Sequence, residues 1–243
     1  MIRIYKEDDY EKMSLRAAEI LSSQIILKPD CVLGLATGST PIGMYDQLVE
    51  MYNNDKIDFS YVKTVNLDEY KGLSQNHNQS YHYFMNRHLF SRVNIDENNI
   101  FIPDGMEEDP IVACANYDVA IERLGRIDIQ VLGIGHNGHI GFNEPNDSFS
   151  KGTNCVKLSD STVEANARFF TSKSEVPEYA YTMGIGSIMQ AKKILLMANS
   201  ADKADILKEA LLGKITPKIP ASILQIHPDL IVVGDKEALR DFE

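Results

Sequence analysis

The stretch "CVLGLATGSTPIGMYDQLVEMY", Cys31 to Tyr52, decides the fold. Its first six residues are an apolar run that predicts a buried strand, the turn "TGSTP" follows, and the remainder has the spacing of an amphipathic helix. Pro41 suits the first turn of that helix, and Thr40 is predicted to cap its N-terminus. A strand that leads through a tight turn into a helix is the repeating unit of an α/β protein.

The same alternation of strands and helices continues along the chain. The other apolar, strand-like runs are "VKTVNL" (62–67), "IDIQVLGIG" (127–135), "KKILLMA" (192–198) and "DLIVVG" (229–234). Strands this apolar are buried on both faces, which is typical of a parallel sheet covered by helices. We therefore expect one α/β domain over residues 1–243, with a doubly wound, Rossmann-like, mostly parallel sheet and helices on both faces.

Composition narrows the range of functions. The formal net charge is −11, so no long basic face is expected for nucleic acid or for an anionic membrane. The apolar runs are too short to span a bilayer, and the charged first ten residues lack the apolar core of a signal peptide. The three cysteines are widely spaced, which favours reduced thiols. We expect a cytoplasmic protein.

Two loops that follow predicted strands carry groups suited to chemistry. In "LATGSTPIGMY", Thr37 to Thr40 offer hydroxyl and N–H donors at the start of a helix, which suits a phosphate, although a plain capped turn would have the same pattern. In "TVNLDEYKGL", Asp68 and Glu69 follow a strand. A carboxylate shielded from water there can move protons to and from carbon, but two acidic residues can also simply end a strand.

The loop "GIGHNGHIGFNEP", Gly133 to Pro145, is the most unusual segment. His136, His139 and Glu144 have the side chains of a metal site, but no cysteine lies nearby and the spacing is not that of a zinc-binding pair, so we predict no metal. A histidine base oriented by a carboxylate is the favoured interpretation. The amides around Asn137 and Gly138 can then face substrate oxygens.

Two basic residues lie near predicted helices. Lys203 falls in the first turn of its helix, where a cation is unfavourable beside the helix dipole unless an anion binds there. Arg168 lies in "EANARFF". Each by itself is typical of a solvated surface charge.

Together, "GLATGSTP", "NLDEY", "GIGHNGHIGFNEP", "ANARFF" and "DKA" resemble the glucosamine-6-phosphate deaminase family over essentially the whole chain. The resemblance implies conversion of D-glucosamine 6-phosphate and water to D-fructose 6-phosphate and ammonium, without metal or organic cofactor.

The resemblance also implies roles for individual residues. Asp68 matches the enolisation base, His139 the residue that opens the sugar ring, and Glu144 its partner. Asn137 stands where other members of the family have aspartate or asparagine, and because an amide carries no charge, Glu144 must supply the charge alone. The phosphate site is matched by the turn that includes Gly38, Ser39 and Thr40, together with Arg168 and Lys203.

Other interpretations stay open at this stage. A 6-phosphogluconolactonase, another sugar-phosphate isomerase or a non-catalytic sugar-phosphate sensor would share parts of the pattern. Residues 149–182 are rich in small and polar residues, which permits movement as a lid. The resemblance implies that longer relatives are cooperative hexamers. This chain stops one short predicted helix after its last strand. It also has Asn154 and Val156 where those relatives have basic residues, so we expect simple kinetics and favour a monomer over a hexamer.

Overall fold

The computed structural model describes residues 2–167, 170, 172 and 175–242. In chain order the helices and strands are β1 (Ile2–Glu7), α1 (Tyr10–Leu27), β2 (Val32–Leu35), α2 (Ile42–Asn53), β3 (Lys63–Asn66), β4 (Asp68–Tyr70), α3 (Tyr81–His88), β5 (Ile100–Phe101), α4 (Pro110–Leu124), β6 (Ile129–Leu132), β7 (Asn154–Lys157), α5 (Asp160–Ala167), β8 (Tyr179–Thr182), α6 (Ile185–Met189), β9 (Ile194–Ala198), α7 (Ala204–Leu212) and β10 (Leu230–Asp235). Among these residues no helix is both long and apolar enough to cross a membrane.

A parallel sheet organises the molecule. In the described part of the chain it has seven strands in the order β1-β10-β9-β6-β2-β3-β5, and every neighbouring pair is parallel. From β2 the chain proceeds outward through β3 and β5, and then returns to the other side of β2 with β6. The winding direction therefore reverses between β2 and β6, which is where ligands bind in doubly wound folds.

The central strands are buried along their whole length. All residues of β2, β6, β9 and β10 are buried. Because successive side chains of a strand point to opposite faces, this burial requires helices on both faces of the sheet. Helix α1 shows how they pack: Asp9 caps it by accepting the Lys12 N–H (2.8 Å), and Met13, Ala17 and Leu21 lie in the core. The predicted fold class is confirmed.

A second, smaller sheet was not predicted. Strand β4 pairs with β8, and β8 pairs with β7, in antiparallel fashion. Asp68 lies opposite Thr182 in this sheet. Strands β7 and β8 and helix α5 all belong to residues 149–182, so the segment expected to permit lid movement supplies two strands beside Asp68.

Three local expectations differ from the structure. The strand predicted for 62–67 ends at Asn66, and a new strand begins at Asp68. A 3₁₀ turn, Ala201–Lys203, precedes α7. The residues after β10 form turns rather than the short helix that we expected. Each difference lies at the end of an element, where tertiary contacts outweigh local propensity.

Candidate active site

The loops that hold the predicted site residues meet at one edge of the large sheet. Because β9, β6, β2 and β3 are parallel neighbours, the loops after them emerge on the same side. These loops are 36–41, 133–145 and 199–203, together with residue 67, which joins β3 to β4. Two contacts join them: Thr40 Oγ1 donates a hydrogen bond to Asn199 Oδ1 (2.9 Å), and His136 Nε2 pairs with Asp202 Oδ2 (2.5 Å).

The loop after β6 is a compact turn. The N–H of Gly138 donates to the carbonyl of Gly135 (3.0 Å). Gly138 and Gly141 have φ angles of +82° and +57°, which residues with a side chain rarely adopt. A Cβ on Gly141 would lie 2.9 Å from Thr182 Oγ1 and 3.4 Å from Asp68 Oδ2. These glycines therefore allow the loop to turn tightly and to approach Asp68.

The structure brings Asn137, His139 and Glu144 together. His139 Nδ1 lies 3.6 Å from Glu144 Oε1, which is an ion-pair distance but too long for a hydrogen bond. Asn137 Nδ2 donates to Glu144 Oε2 (2.6 Å), while the side-chain Oδ1 of Asn137 accepts the backbone N–H of His139 (3.2 Å). Asn137 thus holds both members of the histidine–carboxylate pair.

Two hydroxyl groups from outside this loop also bind Glu144. Thr162 Oγ1 donates to Glu144 Oε1 (2.5 Å), and Ser159 Oγ lies 3.2 Å from the same oxygen. Burial alone would raise the pKa of Glu144, but His139, Thr162 and Asn137 lower it to about 2 because they stabilise the charged form. Glu144 is therefore a carboxylate at neutral pH.

Asp68 is a carboxyl group of the opposite kind. Its side chain is buried, with only 6% of the residue exposed. Burial raises the pKa of Asp68 to about 8, and the negative charge of Glu69 adds to the rise. A carboxyl group with a pKa near neutrality can both accept a proton and return it.

Glu69 has a structural role instead. Its Oε1 accepts the backbone N–H groups of Tyr70 (2.8 Å) and Tyr81 (2.9 Å), and its Oε2 accepts that of His82 (2.9 Å). Burial raises the pKa of Glu69 to about 7, against the effect of these three donors. Two of the donors belong to the first turn of α3, so Glu69 caps that helix. The structure therefore distinguishes two acidic residues that the sequence left equivalent.

The turn at residues 37–40 has the predicted position but not the predicted helix cap. Gly38 has a φ of +96°. Pro41, not Thr40, occupies the cap position of α2, and neither residue binds an N–H group of the first turn through its side chain. The Thr40 hydroxyl is directed to Asn199 instead, and the N–H of Gly43 in the first turn of α2 is bound by the Tyr10 hydroxyl (2.9 Å). The predicted Thr40 cap is wrong because a tyrosine from α1 replaces it.

Lys203 occupies the N-cap position of α7. It is half-buried at the end of the loop whose Asn199 binds Thr40, so it lies on the same side of the sheet as the 37–40 turn. A cation at a helix N-terminus is unfavourable beside the dipole, and an anion bound there would offset that cost. Arg168, the other predicted phosphate ligand, lies outside the described residues.

His136 lies apart from the histidine–carboxylate pair. It contacts Asp202 of the 199–203 loop, and both side chains are exposed. Among the described residues no group of three histidine, cysteine or acidic side chains is arranged to hold a metal ion. The structure therefore does not assemble His136, His139 and Glu144 as a common set of ligands.

A cavity of about 440 Å³ adjoins Glu144. Its lining includes Asn154, Val156 and Lys157 of β7, but neither Asp68 nor His139. The Lys157 ammonium lies 4.0 Å from the Glu178 carboxylate. The cavity therefore borders the histidine–carboxylate pair through Glu144.

A family model for glucosamine-6-phosphate isomerases and 6-phosphogluconolactonases matches residues 6–232. The chain belongs to this family. A glucosamine-6-phosphate deaminase of Clostridium botulinum (strain Loch Maree / Type A3) is 56% identical over 98% of this chain and 97% of the relative. One of Lachnoclostridium phytofermentans is 57% identical over 96% of this chain and 98% of the relative.

Solved structures of the glucosamine-6-phosphate isomerase/6-phosphogluconolactonase family have the same fold. A monomeric glucosamine-6-phosphate deaminase matches with a TM-score of 0.95 and 44% identity, covering 98% of this chain and 99% of that chain. The 6-phosphogluconolactonase of Leishmania guyanensis matches with a TM-score of 0.78 and 19% identity, covering 100% of this chain and 99% of that chain. At that lower identity the likeness shows the fold alone.

In this member of the family, sequence analysis missed an aromatic wall beside the site. The ring of Tyr81 stacks on Phe142 with centroids 5.9 Å apart, and its hydroxyl lies 3.4 Å from that of Tyr70. Burial raises the pKa of Tyr81 well above its ordinary value, while a hydrogen bond with Thr37 opposes the rise. Tyr81 thus connects the aromatic wall to the 37–40 turn. These rings come from three separate elements, so no local pattern could have indicated their contact.

Proposed function

We infer that the protein is a glucosamine-6-phosphate deaminase, which converts D-glucosamine 6-phosphate and water to D-fructose 6-phosphate and ammonium. Relatives more than half identical over nearly the whole chain carry that name. Within the site, the inference depends on Asp68, whose carboxyl has a pKa raised to about 8 beside the loop of His139 and Glu144. The reaction needs a group that takes a proton from carbon and returns it, whereas lactone hydrolysis does not.

Ring opening is assigned to the histidine–carboxylate pair. His139 takes the proton from the sugar's O1 hydroxyl and delivers a proton to O5 as the C1–O5 bond breaks, which leaves an open-chain aldehyde. Glu144 stays charged and stabilises the imidazolium that forms in between, and Asn137 orients both groups. Because Asn137 is neutral, Glu144 provides all of the negative charge in this group.

The proton transfer between carbons is assigned to Asp68. As a carboxylate it removes the proton from C2. The C–H electron pair forms the C1=C2 double bond, the C1=O π pair moves to O1, and O1 takes a proton from the substrate's ammonium, which gives a neutral enolamine. The acid then returns the proton to C1, which leaves an iminium at C2. Water adds to C2, both of its protons pass to the nitrogen, and ammonium departs as the C2=O bond forms, giving the ketose. The substrate's ammonium favours the charged form of Asp68, so binding lowers its pKa toward the value that a base needs.

The sugar's phosphate is assigned to the 37–40 turn, Lys203 and Arg168, with backbone amides near Gly138 contacting other substrate oxygens. This site is remote from the reacting carbons. Its binding energy therefore serves to orient C1 and C2 against the groups that transfer protons. We also expect the protein to act as a cytoplasmic monomer without a metal or organic cofactor. The monomeric relative at 44% identity supports the monomer.

The direct test is incubation of the purified protein with D-glucosamine 6-phosphate and measurement of released ammonium. 6-Phosphogluconolactone serves as the alternative substrate. We expect ammonium from the amino sugar, and lactone hydrolysis no faster than without protein. Accelerated lactone hydrolysis without ammonium release would replace the deaminase assignment by a lactonase.

A further inference from the structure

Glu144 is bound by a second segment of the chain in addition to its own loop. Ser159 directly precedes α5, and Thr162 lies in its first turn. Both hydroxyls contact Glu144 Oε1, the oxygen that lies 3.6 Å from His139 Nδ1. Helix α5 is therefore in contact with the carboxylate of the ring-opening pair.

Thr162 is buried at this contact, and Ser159 and Glu144 are partly buried. Only 6% of Thr162 is exposed. Ser159 Oγ accepts the Thr162 N–H (3.2 Å), and it lies 3.0 Å from Thr162 Oγ1. Glu144 Oε1 and Thr162 Oγ1 are both placed to accept the hydroxyl proton of Ser159. When Thr162 Oγ1 accepts it, the hydroxyl that Thr162 donates to Glu144 is polarised, so both arrangements strengthen the same contact.

The carboxylate is consequently held at both oxygens. Asn137 binds Oε2 and Thr162 binds Oε1, which together fix the plane of the carboxylate. His139 Nδ1 is buried and, within the described residues, has no hydrogen-bond partner. A hydrogen bond between His139 and Glu144 requires Oε1 to approach by only about 0.5 Å. The orientation of Oε1 therefore decides whether the pair can form.

We propose that Thr162, assisted by Ser159, is a positioning residue for ring opening: it fixes the carboxylate of Glu144 toward His139 and makes the pair depend on docking of α5. The proposal rests on the proposed function. It assigns no contact between Thr162 and the sugar, so its effect should appear in kcat and not in substrate affinity.

The test compares Thr162→Val, which removes the hydroxyl at nearly constant shape, with Thr162→Ser, which keeps it. Thr153→Val is the matched control, because Thr153 is also buried (8% exposed) and donates to a carboxylate, Asp118 Oδ1 (2.6 Å), away from the pair. kcat and KM for D-glucosamine 6-phosphate and the melting temperature are measured for each variant. If Thr162→Val does not fold, the same comparison is made at Ser159, with Ser159→Ala removing the hydroxyl and Ser159→Thr keeping it.

We expect Thr162→Val to lower kcat about ten-fold, the size expected for loss of one hydrogen bond to a charged group, with KM changed by less than about two-fold. Thr162→Ser should restore kcat, and Thr153→Val should keep it despite a similar loss of melting temperature. Unchanged kcat in Thr162→Val, no restoration by serine, or an equal loss in Thr153→Val would each overturn the proposal. If wild-type protein releases no ammonium, the proposed function itself fails, which is a different result.

Discussion

Replacing Asp68 with asparagine is expected to abolish turnover and, at the same time, to stabilise the fold. Burial raises the pKa of Asp68 from 3.8 to about 8. The carboxyl therefore ionises in the unfolded chain above about pH 4 but stays protonated in the folded chain until about pH 8. Between these values ionisation favours the unfolded chain. The stability of the folded state is greatest below the unfolded pKa of about 4. It falls as the pH rises from there through the folded pKa of about 8.

The size of the effect follows from the same pKa. Neutral pH lies about 3 units above the pKa of this carboxyl in the unfolded chain. Each unit is worth about 1.36 kcal/mol, so the buried carboxyl lowers the free energy of unfolding by at most about 4 kcal/mol. The asparagine amide must itself be buried, which offsets part of the gain. We expect a net stabilisation of about 1–3 kcal/mol near pH 7, or a rise in melting temperature of about 2–4 °C for each kcal/mol.

Urea unfolding near pH 7 and near pH 4 measures this effect. Asp68→Asn should be more stable than wild type at the higher pH and nearly equal to it at the lower pH, while kcat falls by at least about 10²-fold. Glu69→Gln is the matched control. An amide has only one acceptor oxygen for the three N–H groups that Glu69 binds, so near pH 7 this variant should gain less stability than Asp68→Asn. A stability gain for Asp68→Asn that is absent near pH 7, or equally large near pH 4, would refute the reasoning.

Three further predictions concern the loops around the site. Ser200 has a φ of +74°, a region that favours glycine. Ser200→Gly should therefore be more stable than Ser200→Ala by about 1 kcal/mol or more in thermal unfolding, although both variants lose the contact with Asp202. Equal stabilities would show that the backbone is not strained there. Lys203→Ala should raise KM for D-glucosamine 6-phosphate about ten-fold or more and reduce kcat less, and an unchanged KM would exclude it from the phosphate site. Saturation curves should be hyperbolic and unaffected by N-acetylglucosamine 6-phosphate. Among the described residues, Lys157 is the only cation that lines the cavity beside Glu144, and it also faces Glu178. A sigmoidal curve shifted by this compound would contradict this.

The large sheet was predictable because its central strands are buried on both faces. Such strands appear in the sequence as apolar runs, and the turns and helices after them follow local rules. The small sheet has no such signal. Strand β4 is only the three residues Asp68–Tyr70, and β7 includes Asn154 and Lys157. Its strands are identified by pairing with segments far along the chain, which no local pattern encodes.

The candidate site was predictable to a similar degree. Glycine, histidine and acidic residues stand out in loops that follow strands, so the loops themselves could be located. The partner of each side chain could not. Glu69 differs in role from Asp68 because α3 presents its N–H groups to Glu69. Thr162 reaches Glu144 from another element. The Thr40 cap failed for the same reason, since the Tyr10 hydroxyl occupies that end of α2.

The central claim is that one site moves a proton from C2 to C1 of an amino sugar phosphate and then releases its nitrogen. Simultaneous measurement of ammonium and D-fructose 6-phosphate, from wild-type protein and from Asp68→Asn, tests this claim most directly. Wild type should form the two products in equal amounts, and the folded variant should form neither above background. Ammonium without the ketose phosphate, or undiminished formation of both products by Asp68→Asn, would contradict the account.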